Sequence, residues 1–229
     1  MKTDAKTLPG HLGFIIDGNR RWAKNLGLPT LEGHKKGFET VKNIIEASKI
    51  RGIKTLTFFC FSTENWKRSQ EEVGYLMNLI ETSIKDYFTK FSGEGVKVRV
   101  IGQKERLSKS IRKEIERIEK ATENNTEMTV NLAISYGGRT EIVEAIKNII
   151  RSGINPDSIT EDTVKENLWT TDVDLVIRTG KEQRISNFLI WQAAYSEFLF
   201  VPKYWPDFGE EDLDAALADY AQRSRRFGK

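Results

Sequence analysis

The segment Asp17-Gly18-Asn19-Arg20-Arg21-Trp22 packs a carboxylate, a glycine turn and two guanidiniums into six residues. A turn that opens a helix presents its amides outward and forms an anion nest. Asp17 is out of place beside an anion unless a cation lies between them. Mg²⁺ fits, because it takes oxygen ligands, keeps several waters and bridges one or two carboxylates to phosphates. An Asp here also reads as an ordinary helix cap. A second cradle is written in Arg178-Thr179-Gly180 and Arg184-Ile185-Ser186, with two guanidiniums and a hydroxyl. Ser62-Thr63-Glu64-Asn65-Trp66-Lys67-Arg68 forms a third polar group, and Ser135-Tyr136-Gly137-Gly138-Arg139 a fourth. His34, after Gly33, is one of two histidines; phosphate ligand, proton shuttle and helix cap are all open to it. Trp66, Phe61 and Tyr75 serve a core as readily as a ligand.

These groups need a scaffold that brings them together. Leu12 to Ile16 reads as a buried strand, and Ile53 to Phe61 as a second, rich in Thr and Phe. Val96 to Ile101, Met128 to Ile134, Val173 to Ile177 and Phe198 to Val201 read as four more. Helical spacing appears at Phe38, Val41 and Ile45, ending at Arg51-Gly52. It recurs over residues 73–91, 107–118, 142–150, 187–195 and 210–222, with a small helix over 160–168 capped by Thr160. The alternation predicts an α/β fold: a mostly parallel sheet of about six strands with helices on both faces. Right-handed crossovers set every strand's C-terminal end on one edge, where open sheets bind ligands. All four polar segments follow strand ends. Arg20, Arg21, Arg68, Arg178 and Arg184 then share an edge, and five arginines there point to phosphates rather than to solvation. Two anion cradles imply two phosphorylated substrates.

Composition narrows the classes. The chain has 229 residues, with 36 Lys plus Arg against 33 Asp plus Glu, a formal net charge of +3. Such a balance does not mark a nucleic-acid or membrane-surface binder. Without repeat, low-complexity tract or linker, residues 1–229 read as a single domain. The one cysteine, Cys60, makes no internal disulfide and no cysteine-based zinc site. No apolar run reaches the roughly 20 residues of a membrane span, and no apolar signal core follows Met1, so a cytoplasmic location is expected. G-x-x-x-x-G-K-[ST], G-x-G-x-x-G, G-x-S-x-G and D-D-x-x-D motifs are absent.

From His11 to Gly228 the chain resembles the cis-prenyltransferases, the family of undecaprenyl diphosphate synthase. The likeness rests on His11-Leu12-Gly13-Phe14-Ile15-Ile16-Asp17-Gly18-Asn19-Arg20-Arg21-Trp22-Ala23, Gly33-His34, Phe61 to Arg68, Asn131 to Arg139, Asp174 to Gly180, Arg184 to Phe188 and Trp205-Pro206-Asp207-Phe208. It implies repeated cis-addition of isopentenyl diphosphate to an allylic diphosphate primer such as farnesyl diphosphate, giving undecaprenyl diphosphate, a lipid carrier for cell-wall glycans. By the same likeness Asp17 holds Mg²⁺ on the primer diphosphate, which Gly18, Asn19, Arg20 and Arg21 cradle. Arg178, Arg184 and Ser186 hold isopentenyl diphosphate. Glu197 assists the metal, from its own chain or a partner subunit. His34, Ser62, Asn65, Trp66 and Arg68 line the reaction centre, with Trp22, Thr63 and Glu64 among the substrate contacts, and Glu72 belongs to a lid. Asp17, Asn65 and His34 are the catalytic candidates; Asn65 and a substrate phosphate both remain open as the proton acceptor. Phe58, Cys60, Leu76 and Ile80 would wall an apolar tunnel, with Met128 at its deep end. The resemblance also implies a homodimer, across which Arg226-x-Gly228 reaches, and transient contact with the inner membrane.

Two positions depart from the family pattern. Thr30 stands where an Arg is usual, which removes one primer contact and predicts weaker primer binding. Lys181 stands where a second Gly is usual. Either it carries backbone strain or it adds a cation near the diphosphates. Competing expectations are a non-catalytic subunit of this family, which the intact Asp17 opposes, a nucleic-acid binder, and a synthase of shorter or different product.

Overall fold

The computed structural model describes residues 8–223. Six strands form one sheet: β1 (His11–Ile15), β2 (Thr55–Ser62), β3 (Val96–Ile101), β4 (Met128–Tyr136), β5 (Leu175–Arg178) and β6 (Glu197–Phe200). Their order is β3-β4-β2-β1-β5-β6 and every pairing is parallel. Around them lie α1 (Asn19–Asn25), α2 (Thr30–Ile50), α3 (Gln70–Thr82), α4 (Lys109–Thr122), α5 (Gly138–Arg151), α6 (Glu161–Glu166) and α7 (Glu210–Gln222). The inner strands β1, β4 and β5 are almost wholly buried, as parallel strands covered by crossover helices must be, whereas the edge strand β6 is half-buried along its length. In the core, Phe14 of β1 stacks on Phe58 of β2 at 5.0 Å, and Trp205 donates its indole N–H to the Gly37 carbonyl at 2.7 Å. The helix expected over 160–168 is α6, and Thr160 caps it by accepting from the Thr163 amide.

Three helical expectations change. The helix expected to begin at Phe38 begins at Thr30. Gly33 and Gly37 weaken its propensity, yet a Cβ at Gly37 would lie 2.4 Å from the Asn19 Oδ1, so α1 packs where only a glycine leaves room. The long helix expected over 73–91 is α3 followed by a π-turn (Ser83–Tyr87) and a 3-10 stretch (Phe88–Gly93). The Ser83 hydroxyl donates back to the Leu79 carbonyl at 2.5 Å, a bond that bends helices. Residues 187–195 form turns rather than a helix. Asn187 and Leu189 hold positive φ values of 67° and 42°, which a right-handed helix excludes.

Candidate active site

Because every strand is parallel, the segments after β1, β2, β4 and β5 emerge on one edge, and those after β1, β2 and β5 line one cleft of about 1230 Å³; the segment after β4 does not line it. Asp17 lies between two guanidiniums: Arg21 at 3.1 Å on one oxygen and Arg178 at 2.9 Å on the other. Arg178 is 4% exposed, and it also donates to the Ser186 hydroxyl at 2.8 Å and to the Arg184 carbonyl. Gly180 makes this junction close enough. A Cβ there would sit 2.9 Å from Asp17 and Arg21 atoms, and its φ of 88° suits glycine.

All five arginines face carboxylates. Glu182 pairs with Arg21 at 3.1 Å and Arg184 at 2.5 Å. Glu72 pairs with Arg68 at 3.0 Å and Arg20 at 3.8 Å, and accepts from His34 Nε2 at 3.3 Å. Among the residues that line the cleft, Arg20, Arg21, Lys24, Arg68 and Arg178 outnumber Asp17 and Glu64 by three positive charges, an excess that suits anions. His34 is buried, and burial lowers its pKa against the opposing pull of Glu72, so the ring is neutral and donates. Burial likewise lowers the Arg68 pKa.

The expected site residues divide. Asp17, Gly18, Asn19, Arg20, Arg21, His34, Ser62, Glu64, Asn65, Arg68, Arg178 and Ser186 all line the cleft. Asn65 accepts from the Ser62 amide at 3.0 Å, and Glu64 from Asn187 Nδ2 at 3.1 Å. Burial raises the Glu64 pKa, but hydrogen bonds from its own amide and from Ser62 outweigh it and leave the value low. Trp66, Thr63 and Trp22 do not line the cleft. Trp66 packs edge-on against Phe61 and donates to the Ser135 hydroxyl at 3.0 Å, while Trp22 donates to Asp207 at 2.6 Å. Arg184 stands outside the lining, exposed and held by Glu182.

Glu197 is at the other end of the molecule's sheet. It pairs in register with Leu175, whereas Arg178, beside Asp17, pairs with Phe200. Three residues of strand separate them, about 10 Å. Its carboxylate accepts from Arg223 at 2.9 Å. Within one chain Glu197 therefore does not share an ion with Asp17, because a strand start and a strand end lie on opposite edges of a parallel sheet. Arg226 and Gly228 lie outside the described residues.

Behind the polar cleft runs a smaller apolar cavity of about 70 Å³, walled by Phe38, Val41, Leu79, Ile80, Ile84 and Leu132. Ile16, Asn19, His34, Cys60 and Leu76 line both spaces. Cys60, Leu76 and Ile80, three of the residues expected to wall a tunnel, line this cavity. Phe58 and Met128 do not: Phe58 is sealed under Phe14 and Trp205, and Met128 starts β4 at the far edge. Burial pushes the Cys60 thiol up to about 12, so it is a neutral wall atom. Thr30 lines the cleft as the first residue of α2. Lys181 has a φ of 64°, so the strain foreseen for it is present.

Sequence reasoning gave no role to Glu182, Tyr204 or Glu141. Glu182 was legible as an acid between Gly180 and Arg184; Tyr204 reaches Gly18 only through the fold. Glu141, 1% exposed, accepts from the Trp169 amide at 2.7 Å, from Gln192 at 2.9 Å and from the Tyr136 hydroxyl. It ties the end of β4 to the turns that carry Ser186.

A charge-rich cleft opening on an apolar pocket defines a protein that handles anionic esters of apolar groups. The family model for undecaprenyl diphosphate synthase matches residues 15–228. An isoprenyl transferase of Agrobacterium fabrum is 44% identical over 99% of this chain and 94% of its own length. One of Staphylococcus saprophyticus is 45% identical over 98% and 91%. The crystal structure of lavandulyl diphosphate synthase from Lavandula x intermedia, in complex with dimethylallyl diphosphate, superposes with a TM-score of 0.93 at 40% identity, over 98% of this chain and all of that one. That of a probable undecaprenyl diphosphate synthase from Campylobacter jejuni gives 0.84 at 33% identity, over 96% and 99%. The chain belongs to the undecaprenyl diphosphate synthase family, the cis-prenyltransferases, and is an isoprenyl transferase acting on diphosphate substrates.

Proposed function

We propose that the chain condenses isopentenyl diphosphate repeatedly onto an allylic primer such as farnesyl diphosphate and releases a long polyprenyl diphosphate, undecaprenyl diphosphate, used as a lipid carrier for cell-wall glycans. The observation that carries this reading is the sharing of Ile16, Asn19, His34, Cys60 and Leu76 between the arginine-lined cleft and the apolar cavity. A diphosphate held at the first has its hydrocarbon directed into the second.

Among the described residues no three His, Cys, Asp or Glu side chains form a metal cage. Asp17, one partly exposed carboxylate at an amide nest, suits an ion that takes its other ligands from a diphosphate and water. Mg²⁺ held there would neutralise charge on the departing pyrophosphate. Arg20 and Arg21 bind the primer diphosphate beside Gly18 and Asn19. Arg178, Arg184 and Ser186 grip isopentenyl diphosphate, so both reactants are fixed in one pose. Guanidiniums aimed at the leaving oxygens act most strongly as charge develops there. Neutral His34 donates from Nε2, and Asn65 or a substrate phosphate oxygen takes the isopentenyl proton.

The chain works as a homodimer: Val143, Ile146 and Ile150 make an exposed apolar stripe on α5, 47–72% accessible, which a second copy would cover. No helix among the described residues is long and apolar enough to cross a membrane, so contact with the inner membrane would be peripheral.

The small apolar cavity favours a second reading, a shorter product, since about 70 Å³ is the room of two or three waters and a long chain must spread α2 from α3. Incubation with labelled isopentenyl diphosphate, Mg²⁺ and allylic primers of several lengths, followed by product sizing, separates the two. Long products support the first reading and a single addition the second. No incorporation with any primer refutes both.

A further inference from the structure

Lys181 combines three features. Its φ of 64° is unfavourable for a residue with a Cβ. Its side chain is exposed, and no carboxylate pairs with it among the described residues, whereas Arg20, Arg21, Arg68, Arg178 and Arg184 are all so paired. Its ammonium instead lies over the Tyr204 ring, 5.3 Å from the centroid. The Arg21 guanidinium stands 5.6 Å from the same ring, and Tyr204 packs directly against Gly18. The preceding residue, Gly180, touches Asp17 and Arg21. Lys181 is therefore a free cation parked within a ring's breadth of the primer cradle.

Strain at a position that glycine would fill without cost calls for a compensating use. A cation–π contact between an exposed ammonium and a half-buried ring holds the ammonium weakly and releases it readily to a stronger anion. We propose that Lys181 is an additional diphosphate-binding cation, held on Tyr204 at the rim of the Asp17–Arg21 cleft and transferred to the primer's diphosphate or to released pyrophosphate. The proposal rests on the diphosphate reading of the cleft.

Calorimetric titration of the full chain with inorganic pyrophosphate, with and without Mg²⁺, tests it. Lys181→Ala removes the cation and keeps the strain; Lys181→Gly removes both. Both variants should bind pyrophosphate roughly threefold to tenfold more weakly than the parent at low salt, with the gap closing at high salt. The KM for primer should rise in both while kcat changes little. Lys181→Gly should melt about 2–4 °C above Lys181→Ala, since glycine adopts the positive φ freely. Parent-like pyrophosphate affinity in Lys181→Ala, with the parent itself binding, overturns the role of Lys181 alone. Absence of pyrophosphate binding by the parent overturns the proposal together with the reading of the cleft.

Discussion

Removing the Glu141 carboxylate is expected to loosen the isopentenyl cradle from a distance. Glu141 sits in the first turn of α5 and accepts from three donors: the part-buried Trp169 amide and the buried Gln192 Nε2 and Tyr136 hydroxyl. Gln192 closes the turns that begin at Ser186 and Asn187, whose φ values of 49° and 67° persist only if their surroundings hold them. Glu141→Ala leaves three donors unanswered, at about 1–3 kcal/mol each. Water entering the vacated space offsets part of that, leaving a loss of about 3–5 kcal/mol. For a chain this long, each 1 kcal/mol shifts the melting point by about 2–4 °C, so a drop of about 6–20 °C is expected. Glu141→Gln keeps the shape: its carbonyl serves Trp169 and Gln192, and its amide donates to the Tyr136 oxygen. It should recover most of the stability. Thermal denaturation gives the first reading, and the KM for isopentenyl diphosphate the second. That KM should rise in Glu141→Ala and return in Glu141→Gln, while the primer KM moves little. A Glu141→Ala melting point within about 2 °C of the parent would refute the account of this network.

Asp17→Ala should lower kcat by about 10²–10³ while circular dichroism stays close to the parent and the melting point falls, because the buried Arg178 loses its carboxylate; near-parental turnover would remove Asp17 from the metal's place. Arg184→Ala should raise the isopentenyl diphosphate KM with a smaller effect on the primer KM, and an unaltered KM would contradict the second cradle. Burial depresses the pKa of both His11 and His34, so the folded chain binds fewer protons there than the unfolded chain. Their contribution to stability is complete above about pH 6.5 and is lost as pH falls through the folded pKa values. Urea melts at pH 7.5 and 5.5 should show lower stability at 5.5, and the His11→Gln, His34→Gln double variant should lose part of that difference.

The strand order was not written in the letters, but the edge was. Once strands and helices alternate, Asp17, Ser62, Tyr136 and Arg178 must emerge together, whatever order the strands take. What escaped depended on contacts distant in the chain. The first two turns of α2 are masked by Gly33 and Gly37, which weaken helix propensity and are there because Asn19 presses on them. The apolar spacing of 187–195 resembles a helix, yet the Gly138 and Arg139 amides donate to Asn187 and hold it in a left-handed turn. Phe58 and Cys60 are both apolar strand residues; only the depth of each along β2 separates sealed core from cavity wall. Glu197 looked like a site residue through resemblance alone, and its register with Leu175 sets it on the opposite edge.

The most direct test of the central claim is the crystal structure of the chain with isopentenyl diphosphate, Mg²⁺ and a non-hydrolysable thio analogue of the allylic primer. The expected density places the primer's diphosphate against Asp17, Gly18 and Arg21, its hydrocarbon between Cys60, Leu76 and Ile80, and the second diphosphate on Arg178, Arg184 and Ser186. Diphosphates bound on separate faces, or a prenyl tail lying outside the cavity between α2 and α3, would contradict it.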